Sequence, residues 1–220
     1  MTPAGMRRGA VIAAGVGGTG LLRASLSAPP GSRRFYLLTL GLAGTWAAGA
    51  AASGRRAPGR PPARRTGLAR DAAGAVLTGA ATFGAFYGAA RLARHIAPLD
   101  RAVRGVLRYA DGGSAPLVLL TASVNAVAEE LFFRGALWAL AEDSRPLVAT
   151  TLAYAAATTA TRNPALVLAG AATSVVFGLQ RRHSGGVLAP ALSHLTWSLL
   201  MLRYLPPLFR SAGQPAARAG

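Results

Sequence analysis

This sequence predicts an all-α, polytopic membrane helix bundle of about seven hydrophobic helices plus one amphipathic interfacial helix. Three observations predict it. The 220 residues are 52% hydrophobic and only 14% charged, where soluble domains carry about 25% charged residues. Apolar runs of helical length recur along the chain, separated by short breaks rich in Arg, Pro and Gly. The basic residues gather in those breaks, as arginines flanking membrane helices do.

The first apolar run, about 9–27, follows Arg7 and Arg8 and is rich in Gly and Ala. Its shape is that of a secretory signal, but the further runs make a retained helix the reading. Pro29-Pro30-Gly31 ends it, and the second run, about 35–53, starts at Phe35-Tyr36. Residues 54–70 hold six arginines among prolines and read as a loop on the cytoplasmic side. The third run, about 71–93, carries Gly74, Gly79, Gly84 and Gly88, which permit close helix approach.

Over 95–111, Arg101, Arg104 and Arg108 recur at helical spacing between Val103, Val106 and Leu107. That pattern is an amphipathic helix lying at the interface. The fourth hydrophobic run is about 115–141, closed by Glu142-Asp143-Ser144-Arg145-Pro146. The last three are about 147–160, 164–180 and 187–205, with Arg181 to Gly186 read as the break between the final two. The organisation is then 1–114 as N-terminal helices, 115–205 as the chemical core and 206–220 as a flexible tail.

Charge and composition narrow the function. The net charge is +17, and all 24 basic residues are arginine. The arginine-rich run 54–65 contains no aromatic residue, so it lacks the stacking groups of a nucleic-acid groove. No nucleic-acid partner is expected. Without cysteine there is no disulfide, thiol nucleophile or thiolate metal site. An arginine-only basic set fits a GC-rich genome, and the expected location is a bacterial cell membrane, with lipids as partners.

The chemistry concentrates in Glu129-Glu130-Leu131-Phe132-Phe133-Arg134, inside the fourth hydrophobic run. A charge at a bilayer centre costs about 2.5–3.5 kcal/mol on insertion scales, so three together need pairing, water or chemistry. Glu130 and Arg134 are four apart and share a helix face. Glu129 points about 100° away, which leaves it freer to act as a base. Asn125, four before Glu129, is a candidate hydrogen-bond partner for it. A structural polar knot between helices accounts for the same spacing. His194 lies in the last run, with Ser198 four residues on. Taken alone, that histidine is a helix–helix hydrogen-bonding residue; taken with the glutamates, it belongs to a site.

The hexapeptide 129–134 resembles the EExxxR motif of the CPBP intramembrane proteases, which include the CAAX prenyl endopeptidases and bacteriocin-processing relatives. Gly185 to His194 is similar to the segment leading into that family's last motif, an HxxxN or HxxxD pair. The resemblance covers about 115–205. It implies a glutamate-dependent endopeptidase acting on a membrane-associated peptide or protein substrate. Glu129 would activate the attacking water, Glu130 and Arg134 would order the site, and His194 with Ser198 would support the oxyanion.

Three positions depart from the pattern. Tyr154 and Thr158 stand where the family has the Phe and His of FxxxH, and Ser198 stands in place of Asn or Asp. The alternative function is therefore a catalytically impaired relative that serves as a membrane binding, immunity or scaffold protein. No cofactor is expected. A zinc site would need Glu129, Glu130 and His194 together, since His95 and His183 fall at interfacial or loop positions, and there is no HExxH.

Overall fold

The computed structural model describes residues 2–54 and 67–210. These form eight helices and no strands: α1 (Pro3–Ser25), α2 (Arg33–Ala52), α3 (Leu68–Ala93), α4 (Ala97–Asp111), α5 (Ala115–Leu140), α6 (Pro146–Thr159), α7 (Pro164–Ser184) and α8 (Leu188–Phe209). Each hydrophobic run becomes a helix, and the 95–111 segment becomes α4. Most of the arginine-rich 54–70 segment lies outside the described residues, although α3 already includes Arg70.

Local chemistry starts the helices where the sequence marks them. The Thr2 and Ser32 hydroxyls accept from the amides of Gly5 and Phe35. The Asn163 side chain caps α7 by accepting from Ala165 and Leu166. Such caps satisfy amides that the first turn leaves unpaired. Proline sits in the first turn of α1 and of α4 to α7, where its missing N–H costs nothing.

Four described helices are long and apolar enough to cross a membrane: Arg33–Ala52, Ala69–Ala93, Ala115–Leu140 and Pro164–Ser184. The distribution of side chains agrees with that setting. Leu77, Leu152 and Leu168 are more than 60% exposed, whereas Glu130 and Arg134 are 0% and 1% exposed. An apolar exterior around a charged interior suits lipid and not water.

Small residues bring the helices together. Trp46 of α2 packs against Gly18 of α1, where an added Cβ would fall 2.0 Å from the indole nitrogen. A Cβ on Gly79 of α3 would fall 2.5 Å from the Ser193 carbonyl oxygen of α8. The Ser193 hydroxyl donates across the same contact to Ala75 O, 2.7 Å away. The main apolar core joins Val11, Leu42, Trp46, Phe132, Phe133 and Tyr154, so α1 and α2 buttress the segment that follows the glutamates.

Two expected boundaries move. Arg181, Arg182 and His183 are helical, not a loop, because α7 continues to Ser184 and stops at Gly185 in the left-handed conformation (φ 71°). Basic residues in a last turn favour the helix, and Gly supplies the terminating geometry. The last helix also continues beyond residue 205. α8 runs through Pro206 and Pro207 to Phe209, which is buried with Leu205, Ala90 and Leu107. Arg104 of α4 donates to the Phe209 carbonyl, and Arg210 pairs with Asp111 at 2.7 Å. Residues 211–220 of the expected tail lie outside the described residues.

Candidate active site

α5 changes pitch at the residues that carry the charges. It is α-helical over Ala115–Glu130, π-helical over Leu131–Leu137, and α-helical again to Leu140. Wide π turns are rare and occur frequently at functional sites. Glu129 and Glu130 close the regular part, and Arg134 sits inside the wide turn. The Arg134 carbonyl accepts a 2.9 Å hydrogen bond from Nε of Arg181 on α7, and the Arg181 guanidinium lies 5.5 Å from the Trp138 ring centre. A backbone group and an aromatic face thus hold an arginine that the sequence alone places in solvent.

The two glutamates enter separate networks. Glu130 Oε1 accepts from Arg134 Nη1 at 3.1 Å and lies 2.8 Å from Nδ1 of His194. Arg134 and Glu130 are essentially inaccessible and His194 is 6% exposed, so this is a buried three-member contact joining α5 and α8. Glu129 instead accepts a hydrogen bond at Oε2 from the Tyr154 hydroxyl of α6. The Arg134 guanidinium lies 5.2 Å from the Tyr154 ring centre, within cation–π range, and so touches both networks.

Glu129, Tyr154, Thr158, His194 and Trp197 line one cavity of about 190 Å³. Its remaining walls are largely apolar, with Trp46, Phe133, Leu166 and Gly170 among them. The cavity lies among α5, α6 and α8. In the structure α7 supplies a further wall, and α1 and α2 contribute Leu22 and Trp46.

Two expected contacts differ. Asn125 does not bond Glu129: its amide nitrogen donates to Thr39 O of α2 at 3.1 Å and to Thr121 O at 2.8 Å. A helical carbonyl keeps a second lone pair, and that of Thr39 on the packed neighbour α2 takes the amide. Ser198 is half-buried and outside the set of cavity-lining residues. Thr158 does line the cavity, with its hydroxyl turned onto the Ala155 carbonyl at 2.8 Å. Sequence reasoning missed Trp197, whose indole N–H is buried without a hydrogen-bond partner, and the role of the Tyr154 hydroxyl. Tyrosine where the resembled pattern has phenylalanine was the available signal for the latter. Among the described residues, no three His, Asp or Glu side chains are grouped to hold a metal ion.

The chemistry open to this arrangement is proton transfer at a carboxylate beside a histidine, inside an apolar enclosure. Residues 111–200 match the family model for type II CAAX prenyl endopeptidase Rce1-like proteins, a protease family. The match is consistent with a CPBP family protease. It spans the Glu129–Arg134 segment, Tyr154, Thr158 and His194. No curated protein and no solved structure matches the chain.

Proposed function

We propose that this membrane protein, whose residues 111–200 match a CAAX-type protease family, is an endopeptidase that hydrolyses a peptide bond at or within the membrane. Glu129 is the base. The observation that carries the reading is the convergence of Glu129 and His194 on one cavity, with Glu130, itself paired to Arg134, holding the histidine from behind.

Glu129 takes a proton from water as the water oxygen bonds to the substrate carbonyl carbon, and the carbonyl electron pair moves onto its oxygen. When that pair returns, the C–N bond breaks and the proton held by Glu129 passes to the departing amine. Glu130 is flanked by Arg134 and works as an acceptor, so His194 Nδ1–H donates to it. Nε2 is then the nitrogen left for the substrate, and it donates to the oxyanion when the ring carries both protons. Trp197 lines the cavity and Ser198 does not. The substrate is a membrane-associated peptide or protein.

A second reading rests on Thr158. Its hydroxyl is turned onto its own helix, and the cavity walls are mostly apolar. That combination suits a binding or immunity protein that holds a peptide or lipid tail without cleaving it. The deciding experiment is a cleavage assay in reconstituted membranes with an unbiased peptide pool. Wild type should cleave, and Glu129→Gln, which keeps the side-chain shape but cannot take the proton, should not. Cleavage that persists in purified Glu129→Gln removes Glu129 as the base. Absence of cleavage by wild type favours the binding reading.

A further inference from the structure

We infer that Tyr154 is the positioning residue of Glu129, its hydroxyl fixing the orientation of the carboxylate that faces the water. Three observations lead there. First, the hydroxyls of α6 are divided. Thr158 bonds Ala155 O and the following Thr161 bonds Thr158 O, while Tyr154 reaches across to Glu129 Oε2 on α5. An ionised carboxylate only accepts, so the phenol is the donor, and Oε1 is left for the water.

Second, the phenol ring is itself held on three sides. Phe133 meets it edge-on, with ring centres 4.7 Å apart and planes at 69°. The Arg134 guanidinium lies 5.2 Å from its centre. On the third side α7 presents bare backbone at Gly170, where an added Cβ would fall 3.0 Å from Tyr154 Cε1. A tyrosine has few rotatable bonds, and locked packing of this kind places its hydroxyl precisely enough to orient a neighbour.

Third, Arg134, His194 and Asn125 direct hydrogen bonds to other partners. Arg134 and His194 are both on Glu130, and Asn125 is on Thr39. Tyr154 thus supplies the side-chain hydrogen bond that Glu129 receives. Without it the carboxylate loses its fixed direction.

The catalytic consequence rests on the endopeptidase reading; the hydrogen bond does not, and the test separates the two. The chain has only three glutamates, Glu129, Glu130 and Glu142, so carbon-13 at the glutamate carboxyl gives three resonances in nanodiscs, assigned with Glu129→Gln. Tyr154→Phe should move the Glu129 resonance and leave that of Glu142 in place. A fluorinated tyrosine at position 154, which keeps the hydroxyl, should retain an engaged Glu129 resonance. An unmoved resonance in Tyr154→Phe overturns the inference whatever the enzymology. In the cleavage assay Tyr154→Phe should lower kcat by about 10–10²-fold, the scale of a slightly misplaced catalytic group, with KM and melting close to wild type. Full kcat, or a loss explained by melting alone, also overturns it. If wild type cleaves nothing, the endopeptidase reading fails while the resonance still decides on Tyr154.

Discussion

His194 Nδ1 lies 2.8 Å from Glu130 Oε1, joining α8 to α5 across 64 residues of sequence. The same oxygen accepts from Arg134. Glu130 is therefore a shared anchor, and its charge is already committed when substrate arrives. On the proposed endopeptidase reading, this leaves Glu129 for proton transfer and sets the tautomer of the histidine.

Arg134→Ala should destabilise the fold. It removes one partner of a fully buried ion pair and leaves Glu130 with His194 alone, a loss on the order of 3–5 kcal/mol. Thermal melting and folded yield in detergent would report it. Wild-type melting would show that the pair contributes nothing to stability.

His194→Ala should leave the helices in place and lower cleavage by roughly 10²–10³-fold if Nε2 is the main oxyanion donor. The loss should appear in kcat more than in KM, since the charge develops only in the transition state. A change confined to KM would assign the ring to substrate binding.

Thr158→His tests what the departure from FxxxH costs. The position lines the cavity one turn after Tyr154, so an imidazole there would face the same space as Glu129. Activity should rise, by up to about 10²-fold if the ring takes part in proton transfer. The threonine packs near Gly170, so melting must be measured alongside. Unchanged cleavage in a variant that melts normally would show that the site does not lack this group.

Gly79→Ala probes the α3–α8 contact. The new methyl would fall 2.5 Å from the Ser193 carbonyl oxygen, and backbone cannot swing aside. Separation of the helices would cost about 1–3 kcal/mol and stretch the Ser193–Ala75 hydrogen bond. Gly84→Ala, with nothing within 4 Å of the new atom, is the control and should melt as wild type does. Equal stability of the two variants would mean that α3 and α8 do not pack this closely.

The helices were legible because hydropathy and proline punctuation report local chemistry, which needs no knowledge of partners. The Glu130–Arg134 pair was legible for the same reason, since four-residue spacing puts both on one face. Contacts between helices were not. Asn125 has the right spacing for Glu129, yet it bonds a carbonyl on α2. Arg181 sits in a run of charges that reads as solvated, while its actual partners, the Arg134 carbonyl and the Trp138 ring, are contributed by α5. The change of pitch after Glu130 has no periodic signature either, because seven residues are too few for a phase change to show.

The wide turn at Leu131–Leu137 has a consequence for how this segment tolerates length changes. A π turn amounts to a helix carrying a surplus residue, so deleting one residue there could restore an unbroken α-helical ladder. Local regularity would improve, but each later position would rotate by about 100° relative to those before it. Trp138 would leave the Arg181 guanidinium, while the glutamates upstream kept their place. A one-residue indel cannot be absorbed in this stretch, because the irregularity keeps the two halves of α5 in register with different neighbours.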